Sequence, residues 1–289
     1  MRHLGLPGTL ICGVVRNGGA ALVHTLQKIQ SFERAAENCK VIVVTNDNTD
    51  DTDAVLQKWR SLNDRRCVET LDGLAAAIPE RVGRIAQARN FYMHAVHREP
   101  SEKYKFVIVL DLDGPNTNIV PDDIIGLLQS QTFEWDALFA NQHRAFYDVY
   151  ALRHDTWCPT DCWAEVQAAI TFPFRHRKML KAQSRFVYQR QYHIPPTHPP
   201  IAVHSAFGGF AVYKRDALQQ CWYGSRDNSG HVICEHVVLN QGIDRRGGKL
   251  FIMPALLNDA PEEHLTRDSG RPFPSELHTG ADKTARDGS

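Results

Sequence analysis

The stretch Phe106-Val107-Ile108-Val109-Leu110-Asp111-Leu112-Asp113-Gly114 decides how this chain is read. Five apolar residues, mostly β-branched, run straight into two carboxylates one residue apart. A run this short and apolar, closed by Gly114-Pro115, has the signature of a buried strand in an α/β sheet. Such a strand delivers Asp111 and Asp113 to its carboxyl end, the edge where open parallel sheets bind ligands. Two carboxylates held there suit a hard divalent cation, and that cation suits a diphosphate. The competing reading is that the aspartates only cap the turn after the strand.

Working outward, residues 10–15 and 41–44 read as two further buried strands, and 67–71 as a weaker one. Leu22, Val23, Leu26, Ile29 and Phe32 repeat at helical spacing over 20–36. Residues 53–62 and 84–97 read as helices as well. Strand and helix thus alternate through residue 115, the pattern of a doubly wound parallel sheet. The second half is less regular. Residues 137–140, 147–152, 207–213 and 250–253 are expected as strands, the last ending at Pro254, and 235–241 as a helix. The glycines of Phe207-Gly208-Gly209 allow a close backbone approach. The polar stretch 259–289 is expected to be loosely ordered at its end.

Bulk composition narrows the classes. The 289 residues carry 33 basic and 33 acidic side chains, so there is no basic footprint for general nucleic-acid binding. Seven cysteines, an odd number without C-x-x-C pairs, read as reduced thiols of a cytoplasmic protein. No signal-peptide h-region and no apolar run near the roughly 20 residues of a membrane span is seen.

The order of these segments resembles the GT-A glycosyltransferases. The resemblance rests on Val15-Arg16-Asn17, the polar turn from Val44 to Thr52, Gly83-Arg84-Ile85-Ala86-Gln87-Ala88-Arg89-Asn90, and Asp111-Leu112-Asp113. Tyr147 to Arg153, Phe207-Gly208-Gly209 and Cys234-Glu235-His236-Val237 are similar to the capsule-type mannosyltransferases. The resemblance implies a GT-A-like α/β fold in one domain, with a mostly parallel sheet flanked by helices. Residues 8–115 would form the nucleotide-sugar half and 116–258 the acceptor half. It also implies a hexosyltransferase that moves a sugar from a nucleotide sugar, a GDP- or UDP-sugar, to a glycan or glycolipid. One departure concerns the turn after the second strand. Thr45 and Asn46 stand where such enzymes usually carry aspartate, which weakens the expected contact to a uracil base.

In the roles so implied, Asp111 and Asp113 hold Mn²⁺ or Mg²⁺ against the diphosphate. Arg16, Arg84 and Arg89 pair with phosphate oxygens, for which guanidinium geometry is suited. Asn17 and Asn46 contact the nucleoside, or else serve as turn residues and caps. A C-terminal histidine, His264 in preference to His278, completes the metal shell, and an imidazole ligand favours manganese. Glu235 is the candidate acceptor-side base, or a helix-start carboxylate favoured by the dipole. Asp148, beside Tyr147 and Trp163, is a second acceptor-side carboxylate.

The run 174–193 holds Arg175, Arg177, Lys178, Lys181, Arg185 and Arg190 with no acidic residue. It is a candidate contact for an anionic acceptor or a membrane surface, against the plainer reading of a solvated basic helix. Two rivals stay open. A nucleotidyltransferase shares the sheet and metal but usually opens with a Gly-rich loop and lysine, where this chain has Arg16-Asn17-Gly18-Gly19. A non-catalytic carbohydrate-binding relative would hold ligand without turnover.

Overall fold

A computed structural model describes residues 5–275 and 277. The first half runs β1 (Thr9–Val15), α1 (Gly19–Ala35), β2 (Cys39–Thr45), α2 (Thr52–Arg60), β3 (Arg66–Thr70), α3 (Leu74–Ala77), α4 (Arg81–Arg98) and β4 (Phe106–Asp111). It continues with α5 (Pro121–Ser130), β5 (Ala137–Gln142), α6 (Cys162–Ala169), α7 (Arg175–Phe186), β6 (Tyr192–His193) and β7 (Ile201–Ala202). The chain then forms β8 (Phe210–Lys214), α8 (Glu235–Asp244), β9 (Leu250–Asn258) and β10 (Arg271–Pro272).

One sheet threads both halves, in the order β3-β2-β1-β4-β8-β5-β9-β7. The first four strands are parallel. β8 is inserted antiparallel between β4 and β5, and β9 lies parallel to β5. The sheet is therefore mixed, and α helices cover both faces. Alternate residues of β4 enter opposite cores. Val107 and Val109 pack with Tyr92, Met93 and Val96 of α4. Ile108 and Leu110 pack with Leu22, Ile29 and Phe32 of α1. Burial on both faces is why the strand reads as an unbroken apolar run.

This topology places the functional edge. From β1 the chain moves to one side through β2 and β3, then α4 carries it back to β4 on the other side of β1. β1 and β4 thus flank the point where strand order reverses, and crevices form there at the carboxyl ends. Val14 pairs with Asp111 across that point.

Three strand expectations in the second half change. Residues 147–152 form a turn, not a strand, because the Asp148 carboxylate accepts the Ala151 N–H and Val149 bonds back to Tyr147. Residues 207–209 also turn, with Gly208 and Gly209 at φ 68° and 80°, and the strand starts only at Phe210. β9 does not stop at Pro254. It runs on to Asn258 through a register shift opposite Ala140 and Asn141, where the Pro254 carbonyl accepts from Asn141 Nδ2. Residues 259–275 are held against the second half, β10 pairing with β6. The expectation of loose order at the chain's end lies outside the described residues.

Gly209 sits where a side chain meets a rigid neighbour. A Cβ there would lie 2.9 Å from Pro115 Cβ on a backbone already in the left-handed region. Gly209→Ala should therefore cost about 2–3 kcal/mol of stability, measured by urea denaturation.

Candidate active site

Ten of the candidate site residues named above line one cleft of about 670 Å³ at the β1/β4 edge. They reach it from separate elements: Arg16 and Asn17 after β1, Asn46 after β2, Arg84 and Arg89 on α4, Asp111 and Asp113 at the end of β4. Asp148 comes from the turn after β5, Glu235 from the first turn of α8, and His264 from the segment after β9.

The first wall is built of interlocked turns. Asn17 adopts φ 54°; its Oδ1 accepts from the Thr49 N–H and its own N–H donates to Asn48 Oδ1. Arg16 Nε donates to the Asp47 carbonyl, and its side chain is otherwise exposed. Asn46 is buried and donates to the Asp47 carboxylate, which in turn accepts the Gly73 and Ala75 N–H groups at the start of α3. Asp47 was not singled out from the sequence, yet it ties the turn after β2 to the one after β3. Arg84 donates to the Ile78 and Pro79 carbonyls and stays half-buried in the cleft wall.

Arg89 differs from the phosphate-binding role expected of it. Its guanidinium is 3% exposed, with Nη2 3.0 Å from Asp111 Oδ1 and Nε 3.2 Å from Glu235 Oε1. Phe207 and Tyr223 rings lie 5.1 and 5.6 Å from it. Burial opposes its charge, but Tyr92, Asp111, Tyr223 and Glu235 more than compensate. Arg89 is thus the internal counter-ion of two cleft carboxylates.

Asp111 is pushed up to about 7, first by burial and then by Asp113 and Asp148, against the pull of Arg89. Burial likewise raises Asp148, whose oxygens accept the Gly208 and Ala151 N–H groups. Asp113 is exposed, and no hydrogen bond or ion pair engages it among the described residues. Carboxylates crowded this closely repel one another, and a divalent cation relieves that repulsion. The donor set fits a hard metal. Among the described residues no three His, Cys, Asp or Glu side chains are gathered as a finished cage. His264 instead stacks on Tyr147, ring centroids 5.4 Å apart and nearly parallel, at the cleft's rim. His278 lies outside the described residues.

Sequence reading also passed over His236. It is 2% exposed, stacked 3.6 Å from Phe207 and edge-on to Tyr223. Burial and then Arg89 hold its pKa well below the ordinary histidine value, so it is neutral. A buried imidazole without a hydrogen bond in a helix's first turn has no periodic signature that would expose it in sequence.

No protein-family model matches the chain, and no curated protein does. Solved structures do show similarity. One is the mannosyltransferase PcManGT from Pyrobaculum calidifontis in complex with GDP-Man and Mn²⁺, at 14% identity and TM-score 0.49, covering 90% of this chain and 59% of that one. Another is S. aureus TarS 1–349, at 10% identity and TM-score 0.44, covering 87% of this chain and 59% of that one. A third is glucosyl-3-phosphoglycerate synthase from Mycobacterium tuberculosis with Mn²⁺, uridine-diphosphate and phosphoglyceric acid, at 12% identity and TM-score 0.41, covering 87% and 67%. The chain spans 59% of the length of the first two. The likeness is distant, and the chemistry is read from the cleft itself.

Two outcomes test this geometry. Arg89→Met leaves Asp111 and Glu235 without their shared counter-ion and should cost about 3–5 kcal/mol in urea denaturation with EDTA. The depressed His236 pKa means the unfolded chain takes up a proton below about pH 6.5 that the folded chain does not. Stability present above that pH is then lost on acidification, at up to about 1.4 kcal/mol per pH unit. His236→Asn should flatten the fall in Tm between pH 7 and 5.

Proposed function

We propose that this chain is a metal-dependent glycosyltransferase of GT-A type, a hexosyltransferase, that moves a sugar from a nucleotide sugar to a glycan or glycolipid. The carrying observation is the carboxylate cluster of Asp111, Asp113 and Asp148 at the strand-order switch, with Asp111 held near 7 by burial and like charge.

Asp111 and Asp113 would hold Mn²⁺ or Mg²⁺, with His264 as a further ligand that would favour Mn²⁺. When bound, the metal supplies Lewis-acid neutralisation of the departing nucleoside diphosphate. Arg16 and Arg84, which line the same cleft, supply positive charge for phosphate oxygens. Asn17 and Asn46 line the nucleoside end, GDP- and UDP-sugars being the donor classes considered. Asp148 and Glu235 face the acceptor. Glu235, held by Arg89 at the start of α8, offers carboxylate oxygen to a sugar hydroxyl. Asp148, whose pKa burial raises, is a second acceptor-side carboxylate placed for the hydroxyl proton. Tyr147 and His264 stack on one another in the cleft lining.

The setting that goes with this reading is cytoplasmic, with peripheral membrane contact through residues 174–193. All seven cysteines being free supports a reducing compartment. Among the described residues no helix is long and apolar enough to cross a membrane.

The test is a thermal-shift panel of nucleotide sugars with Mn²⁺, Mg²⁺ or EDTA. One nucleotide series should raise Tm only with metal, and Asp113→Ala should abolish that rise and sugar transfer together. Because protons compete for Asp111 below about pH 7, Mn²⁺ affinity should drop about tenfold from pH 8 to pH 6. Transfer that survives Asp113→Ala, or a panel with no shift at all, overturns the reading.

A further inference from the structure

Three large apolar side chains stand in solvent within nine consecutive residues: Phe172 is 88% exposed, Phe174 76% and Leu180 53%. Phe172 and Phe174 are the two most exposed large hydrophobic residues described. They project just ahead of α7, whose only buried residue is Ala182. His176, Arg177, Leu180 and Lys181 recur three and four residues apart, so they share the side of α7 away from Ala182. Arg175, Lys178 and Arg185 add to the charge. No acidic residue occurs from Ile170 to Arg190, although the whole chain balances 33 cations with 33 anions. Among the described residues, no carboxylate pairs with any of the five α7 cations; Lys178 donates to Thr171 Oγ1, and Arg185 lies over the Phe186 ring.

Exposed aromatics and unpaired cations on one short helix are what an anionic lipid surface accommodates. Rings enter the headgroup boundary while guanidinium and ammonium groups meet lipid phosphates. A partner protein would have to supply both an apolar pocket and unbroken negative charge. A second copy of this chain brings the same positive charge against itself.

The position of α7 gives the docking a consequence. Beyond its C-terminus the chain turns at once into the cleft wall, where Val187, Tyr188 and Gln191 line the cavity. The 12-residue helix spans about 18 Å, so its exposed N-terminal end and the cleft lie within one helix length.

We propose that Phe172, Phe174 and the cationic side of α7 seat the protein on an anionic bilayer, so that the cleft faces an acceptor anchored in that bilayer. The acceptor clause rests on the glycosyltransferase reading; the docking does not.

The experiment is flotation of the full chain with phosphatidylcholine vesicles, with and without about 30% phosphatidylglycerol. The protein should float only with the anionic vesicles, and less so in about 0.5 M salt. Phe172→Ser with Phe174→Ser should weaken binding on the order of 100-fold. Arg175→Gln, Arg177→Gln and Lys181→Gln together should remove its salt dependence. Both variants should keep the parent Tm and its shift with sugar nucleotide and Mn²⁺, since the altered side chains are exposed and outside the cleft. Equal binding to neutral vesicles, no binding by the parent, or unchanged binding by both variants overturns the docking. So does a parent dimer that the serine variant dissociates without any lipid binding. Vesicle binding by a protein that ignores every sugar nucleotide supports the docking and overturns the acceptor clause with the transferase reading.

Discussion

One buried guanidinium holds the cleft together. Arg89 comes from the middle of α4 and pairs with Asp111 at the end of β4 and with Glu235 at the start of α8. An arginine this buried is tolerable only where carboxylates and hydrogen-bond acceptors surround it. Those carboxylates in turn are tolerable beside Asp113 and Asp148 only because a fixed positive charge stands behind them. The aromatic rings of Phe207 and Tyr223, and the paired hydroxyls of Tyr92 and Tyr223, close the guanidinium off from water. Asp111 and Glu235, carried by β4 and α8, therefore share one electrostatic anchor.

Behind that anchor lies a second constraint, a buried amide network. Asn116 donates to the Asp111 and Gly209 carbonyls. Asn258 donates to Asn116 Oδ1 and the Gly208 carbonyl, and Gln142 to the Gly208 carbonyl and Asn258 Oδ1. These three side chains are at most 1% exposed. They join the ends of β4, β5 and β9 to the glycine turn that precedes β8. Buried amides left unsatisfied cost free energy, so the network holds one arrangement of the four segments. That arrangement sets Asp111, and the Asp148 carboxylate bonded to the Gly208 N–H, on the same cleft wall.

Charge is distributed with similar economy over the surface. The chain is neutral as a whole, but cations without carboxylate partners among the described residues gather on α7, next to exposed phenylalanines and within one helix length of the cleft wall. The acidic cleft and the basic outer helix thus carry fields of opposite sign on one neutral chain.

The sequence by itself determined the parallel half. Strands buried on both faces must be continuous apolar runs, and helices between them must show a 3.6-residue repeat, so β1, β2, β4, α1 and α4 are legible from local pattern. The aspartate pair is legible for the same reason, since it ends such a run. Tertiary structure alone decided the rest. Residues 147–152 are apolar enough for a strand, but the Asp148 carboxylate captures a backbone N–H and bends them into a turn. β9 passes through a proline because a register shift absorbs it. Arg89 could not be told from Arg16 or Arg84 by residue type. Only the packing of α4 against α8 brings Glu235 within reach of its guanidinium, and a contact between residues 146 apart leaves no mark on either local pattern.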